Sequence, residues 1–139
     1  MSEPTPSGRE MEILKILWEH GPASVREVRE RMCPGGELAF NTVQTLLRIM
    51  DDKGLVAHRA EGRTFVYTPT YSRERATTRF LDRVFDGAID QLVLSLLKAR
   101  DAGPDELRRL ERLIADARKG KRPDGEGRAG RDRDREGRA

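Results

Sequence analysis

The chain has 139 residues, 37% of them charged and only 5% aromatic. So small a supply of large apolar side chains excludes one big self-sufficient core and points to a subunit that completes its packing with a partner. The net charge of +3 is unevenly spread, with residues 1–71 summing to −1, 72–117 to zero and 118–139 to +4, so any nucleic-acid surface must arise from local clustering rather than bulk charge.

Ser7 followed by Glu10 is a capping-box pattern that opens a helix. Met11, Leu14, Leu17 and Trp18 recur along it at helical spacing, with Ile13 beside them. Gly21-Pro22 ends it. Ser24 and Glu27 repeat the box and start a second helix with Val25, Val28 and Met32 on its inner face. Cys33-Pro34-Gly35-Gly36 breaks that helix. A third begins near Phe40 and carries the apolar stripe Val43, Leu46, Leu47 and Met50, with Gly54 as its C-cap.

The period then changes from helical to alternating. Leu55–Arg59 and Thr64–Thr68 read as strands, with Ala60-Glu61-Gly62-Arg63 as the turn of a β-hairpin and Pro69 closing it. Three further helices follow. One spans Arg73–Asp86, and a second carries Ile89, Leu92, Val93, Leu96 and Leu97. The last opens on Pro104-Asp105-Glu106 and presents Leu107, Leu110, Leu113, Ile114 and Ala117. From Gly120 onward there is no large apolar residue to offset chain entropy, and disorder is expected.

The expected fold is mainly α with a small β-hairpin. Three short helices and then a hairpin is the order of a winged helix-turn-helix, here over residues 1–71. A helical dimerisation region (72–118) and a disordered charged tail (119–139) follow. In this architecture the third helix enters the major groove and the wing lies along the backbone. Asn41, Thr42, Gln44, Thr45 and Arg48 are the candidate base contacts. Asn and Gln pair bidentately with adenine, Arg with guanine, and Thr reaches a phosphate or a thymine methyl. Ser24, Arg26, Arg59 and Arg63 are the candidate backbone and wing contacts. Asp51 and Asp52 end the third helix and would repel phosphates, so they are expected to face away from DNA.

The amphipathic helices after Pro69 are too short to stand alone in water. Phe80, Leu81, Val84, Phe85, Leu92, Val93, Leu96, Leu97, Leu110 and Ile114 are therefore expected to build a dimer interface; completion of an intrachain core is the alternative. A two-fold dimer implies a palindromic operator.

The stretch Arg9–Trp18, the segments Ser24–Val28 and Asn41–Leu47, and Lys53-Gly54-Leu55-Val56 resemble the penicillinase repressor family. Phe80-Leu81, Phe85-Asp86-Gly87 and Leu92-Val93-Leu94 are similar to its dimerisation region. The resemblance covers roughly residues 7–117. It implies a homodimeric repressor, joined through its C-terminal helices, that binds a palindromic operator. It also implies a membrane sensor metalloprotease that inactivates the repressor by cutting at about Ser95–Leu96, where the best-known members have Asn-Phe. Copper-responsive relatives carry paired Cys-x-Cys motifs, which are absent here.

Cys33 is the only cysteine. It can form neither an intrachain disulfide nor a thiolate cluster, and it reads as a small packing residue of a reducing compartment. No apolar run approaches the ~18 residues of a membrane span, and Met1 to Gly8 has no signal-peptide core. A soluble cytoplasmic chain is expected, without cofactor or metal. No nucleophile–base pair or phosphate-cradling loop accompanies the two histidines, His20 and His58, which argues against an enzyme. His20 reads as a helix-end residue and His58 as an exposed strand position. The rival to a DNA-binding function is a winged helix used for protein interaction, which near-neutral charge over residues 1–71 would suit.

Overall fold

In a computed structural model, which describes residues 4–121, the chain forms six helices and three short strands in the order α1 (Gly8–His20), β1 (Ala23–Ser24), α2 (Val25–Met32), α3 (Phe40–Lys53), β2 (Val56–Glu61), β3 (Thr64–Pro69), α4 (Arg73–Phe85), α5 (Ile89–Ala99) and α6 (Pro104–Gly120). They fall into two compact units, one ending at Ala88 and the other beginning at Ile89. The first contains α4, so the 71/72 boundary expected from the sequence lies inside it.

Serine caps start three helices of the first unit. Ser7 Oγ accepts from the Glu10 amide and Ser24 Oγ from the Glu27 amide, each glutamate answering at the serine's own N–H to close the box. Ser72 caps α4 by accepting from the Arg75 amide. α3 differs, because Ala39 at its N-cap has no side chain that can accept a hydrogen bond. Its far end is closed by Gly54, left-handed at φ 84°, a conformation that costs a glycine little.

The core belongs to the first unit. Ile13, Leu14 and Leu17 of α1, Val25 and Val28 of α2, Val43, Leu47 and Met50 of α3, and Leu55, Val56, Tyr67 and Tyr71 are all buried. Full burial of a side chain of this size contributes ~1.5–3 kcal/mol. Trp18 closes one edge: its indole N–H donates to the Tyr71 carbonyl at 2.9 Å, and the Arg73 guanidinium lies 5.4 Å from its ring centroid. Ala76 of α4 packs against the same core half-buried.

The hairpin is tighter than the sequence suggested, and it is not alone. β2 and β3 pair from Val56↔Pro69 to Glu61↔Thr64, so the turn is Gly62-Arg63 and not the expected four residues Ala60 to Arg63. Gly62 has φ +64°, while Arg63 keeps an ordinary negative φ; a glycine first in a two-residue turn suits the twist of a hairpin. On the other edge of β3, Ala23 and Ser24 pair with Tyr67 and Val66, giving the sheet order β1-β3-β2. A two-residue strand has no alternation to read. It forms because Gly21, at φ 87°, turns the chain after α1 alongside β3.

In the second unit α5 and α6 are regular helices with no buried residue. α6 has Pro104 in its first turn, Asp105 and Glu106 at the positive end of its dipole, and Arg118 and Lys119 at the negative end. It runs through Lys119 and Gly120, correcting the expectation that order ends at 118. Lys121 follows as its C-cap, and the tail from residue 122 onward, expected to be disordered, lies outside the described residues.

An ion pair between a buried carboxylate and a partly exposed lysine ties α1 to the end of α3. Glu10 is 3% exposed, and Lys53 reaches both of its carboxylate oxygens, at 2.9 and 3.1 Å. Burial alone would raise the Glu10 pKa, but the Ser7 backbone N–H and the Lys53 ammonium together hold it below the ordinary 4.5. The native state therefore releases this proton at lower pH than the unfolded chain. The resulting stabilisation is full above the unfolded carboxyl value and is lost as pH falls through the native one. Glu10→Gln should lower stability at pH 7 by roughly 1–3 kcal/mol and flatten the acid limb of a melting-temperature profile between pH 7 and 3. A profile identical to that of the parent chain would show that the pair contributes nothing.

Candidate nucleic-acid interface

α3 has two faces set by its own sequence. Val43, Leu47 and Met50 point into the core at 0% exposure. Asn41, Thr42, Thr45 and Arg48 are exposed and Gln44 is half-buried. Positions 41, 44, 45 and 48 follow one stripe at helical spacing, so one stretch of chain packs inward and presents amide, hydroxyl and guanidinium groups outward. Thr42 sits beside that stripe.

An open groove of about 780 Å³ runs between the N-terminal ends of α2 and α3 and the wing, lined among others by Ser24, Arg26, Phe40, Gln44, Arg63 and Phe65. It gathers Gln44 from the expected base-contact set with Ser24, Arg26 and Arg63 from the expected backbone set. Arg26 and Arg63 are exposed there. Ser24 is half-buried, and its hydroxyl is already engaged in capping α2. Arg59 does not line this groove. It pairs with Glu61 on its own strand at 2.7 Å, both side chains 55% exposed, so a carboxylate partly neutralises its charge. Glu27, also on the groove, is held by the Ser24 amide at 2.9 Å.

Three features of this region have no counterpart in the sequence reading. The Asp51 carboxylate at the end of α3 bonds His58 Nδ1 on β2, so the wing is pinned to the third helix by one of the acids expected only to face away from DNA. His58 in turn lies under Phe65, ring centroids 4.6 Å apart, and beside Tyr67 at 5.8 Å. Burial, reinforced by the Asp51 charge and opposed by Arg48, raises the Tyr67 pKa above its usual 10.0 and keeps that phenol neutral. Phe40 and Phe65 are 43% and 50% exposed on the groove, and only the fold puts them on one surface.

The expected dimer residues divide between the units. In the first, Phe80 and Val84 are exposed at 50% and 56%, Leu81 and Phe85 are half-buried, and the Phe80 and Phe85 rings lie 6.2 Å apart. In the second, Val93, Leu96, Leu97 and Ile114 are exposed, while Leu92 and Leu110 are half-buried. Ser95 and Leu96 are exposed on α5. Cys33 is buried, with its thiol against the Arg29 carbonyl. Among the described residues no cluster of His, Cys, Asp or Glu could hold a metal ion, and no helix is long and apolar enough to cross a membrane.

A family model described as penicillinase repressor matches residues 6–116. The penicillinase repressor of Bacillus licheniformis is 30% identical over 115 residues, 80% of this chain and 90% of the relative. The transcriptional regulator BlaI of Mycobacterium tuberculosis (strain CDC 1551 / Oshkosh) is 30% identical over 116 residues, 80% of this chain and 83% of the relative. The solution structure of the DNA-binding domain of the repressor BlaI superposes with a TM-score of 0.48 at 32% identity, covering 53% of this chain and 90% of that one.

The Asp51–His58 bond is the point at which the wing can be loosened selectively. A half-exposed pair of this kind contributes up to ~1 kcal/mol. Asp51→Asn should therefore speed amide hydrogen exchange in β2 and β3 by up to about fivefold while α1 and α2 keep their protection. Equal acceleration in all of these elements would instead indicate a global loss of stability.

Proposed function

The chain belongs to the penicillinase repressor family, and we propose that it acts as a homodimer on a palindromic operator, reading bases with α3 and gripping the backbone with the wing. Its relatives are repressors and transcriptional regulators, and like them it is a DNA-binding repressor rather than an enzyme. The observation that carries the reading is the outward stripe of α3. Asn41, Gln44, Thr45 and Arg48 share one face, flanked by Thr42, while the opposite face is fully buried. Asn41 and Gln44 suit adenine and Arg48 suits guanine. Ser24, Arg26, Arg59 and Arg63 supply backbone contacts that set the register, Arg59 the least because of Glu61.

In functional terms, residues 1–71 hold the DNA contacts and 72–118 the dimer contacts. Support for the second assignment is that α4, α5 and α6 have no fully buried residue in the single chain while carrying Phe80, Leu81, Val84, Phe85, Leu92, Val93, Leu96, Leu97, Leu110 and Ile114. Apolar rows of this size are covered in a stable protein, and a second copy offers the same rows. One recognition helix holds a half-site weakly. Two linked helices gain through effective concentration, so loss of the dimer releases the operator. A cut near Ser95–Leu96 by a membrane sensor metalloprotease is one route to that loss. Such a repressor works in the cytoplasm, where its operator lies.

The test is protection of the DNA upstream of the protein's own gene, with excess nonspecific competitor and at two salt concentrations. A protected palindrome bound by a dimer is the expected result. Binding that competitor abolishes would overturn the repressor reading in favour of a protein-interaction module. On the protected site, Arg48→Ala should cost roughly 10- to 100-fold in affinity, the worth of one bidentate base contact. Leu92→Asp should yield a monomer in sedimentation and lose most operator affinity. A monomeric variant that bound the full palindrome as tightly as the parent would sink the release mechanism.

A further inference from the structure

The chain has four phenylalanines, and two of them stand in the open on one groove. Phe40 is 43% and Phe65 50% exposed, and both line the groove that also holds Gln44, Arg26 and Arg63. Water-exposed rings on the same concave surface are unfavourable unless something covers them. Nothing in the core asks for Phe40, because the buried side of α3 is Val43, Leu47 and Met50. It is the first residue of α3, one helical turn before Gln44, at the end of a recognition helix whose residues meet base edges. Phe65 rises from the wing, its ring lying on His58, which Asp51 holds.

The surroundings choose the occupant. Two exposed arginines flank the rings, and the groove's two carboxylates are already engaged, Glu27 at the Ser24 amide and Glu61 by Arg59. This is a surface for a polyanion that carries an apolar group beside hydrogen-bonding edges. In the major groove of duplex DNA the apolar group on offer is the C5-methyl of thymine.

We propose that Phe40 is a specificity-determining residue that reads the 5-methyl group of a pyrimidine in each half-site, with Phe65 as the opposite wall of the same apolar slot. The proposal rests on the operator-binding reading above and deepens it. It adds a contact made by burial to those made by hydrogen bonds. Because 5-methylcytosine places the same methyl in the same groove, the slot accepts it as it accepts thymine.

The experiment uses the full chain and the operator found by protection. Each thymine of a half-site is replaced in turn, and symmetrically, by deoxyuridine, which lacks only the methyl group. Burial of one methyl group predicts about a fourfold loss per half-site at one thymine position. Phe40→Ala should bind the thymine and deoxyuridine operators equally. Phe40→Leu, which keeps an apolar side chain at the same place, should retain discrimination between the two.

Insensitivity of the parent chain to deoxyuridine at every position would overturn the proposal. So would a Phe40→Ala variant that keeps the parental ratio, or one that weakens both operators alike without changing the ratio, as a merely structural role would. Failure to find any protected operator would overturn the repressor reading and this proposal with it. Methyl-insensitive binding to a protected operator would overturn this proposal alone.

Discussion

Everything in the first unit depends on α3 burying one face and one face only. Val43, Leu47 and Met50 have no exposure, and a helix so anchored cannot roll without dragging apolar surface into water at roughly 25 cal/mol per Å². That cost fixes the direction in which Asn41, Gln44, Thr45 and Arg48 project. Orientation of a recognition surface is the part of binding that a flexible segment would have to supply on complex formation, at the expense of affinity. Here folding has already supplied it.

The neighbouring elements hold α3 at its C-terminal end. At its C-terminus Lys53 reaches back to the buried Glu10, whose carboxylate also answers the Ser7 amide, so the cap of the first helix and the end of the third share a single side chain. Two residues before Lys53, Asp51 holds His58 and with it the wing. The N-terminal end is left open, with Ala39 offering no side-chain cap and Phe40 exposed. The helix is thus secured where it meets the protein and left free where, in a winged helix, it meets DNA.

The rest of the chain obeys the opposite rule. α4, α5 and α6 are strongly two-sided yet have no fully buried residue within one chain. A small protein with few aromatic residues cannot complete two cores by itself. The core formed by α1, α2, α3 and the sheet is internally satisfied, and the later helices leave most of their apolar rows exposed.

Local signals in the sequence determined the helices, both capping boxes, the Gly54 stop and the hairpin, because each rests on residues three or four apart or on strict alternation. Ser7 with Glu10, Ser24 with Glu27, and the stripe Val43, Leu47 and Met50 were legible for that reason, and so was the polar face opposite the stripe. The succession of segments from Arg9 to Leu94 also carried the family resemblance. Tertiary structure decided what depends on partners far apart in the chain. The pairing of Ala23 and Ser24 with β3, the second role of Glu10 as the partner of Lys53, the bond from Asp51 to His58, and the placing of Phe40 and Phe65 along one groove all involve residues whose spacing carries no periodic signal. Such contacts are set by how the elements pack, and packing is a property of the whole core rather than of any window of sequence.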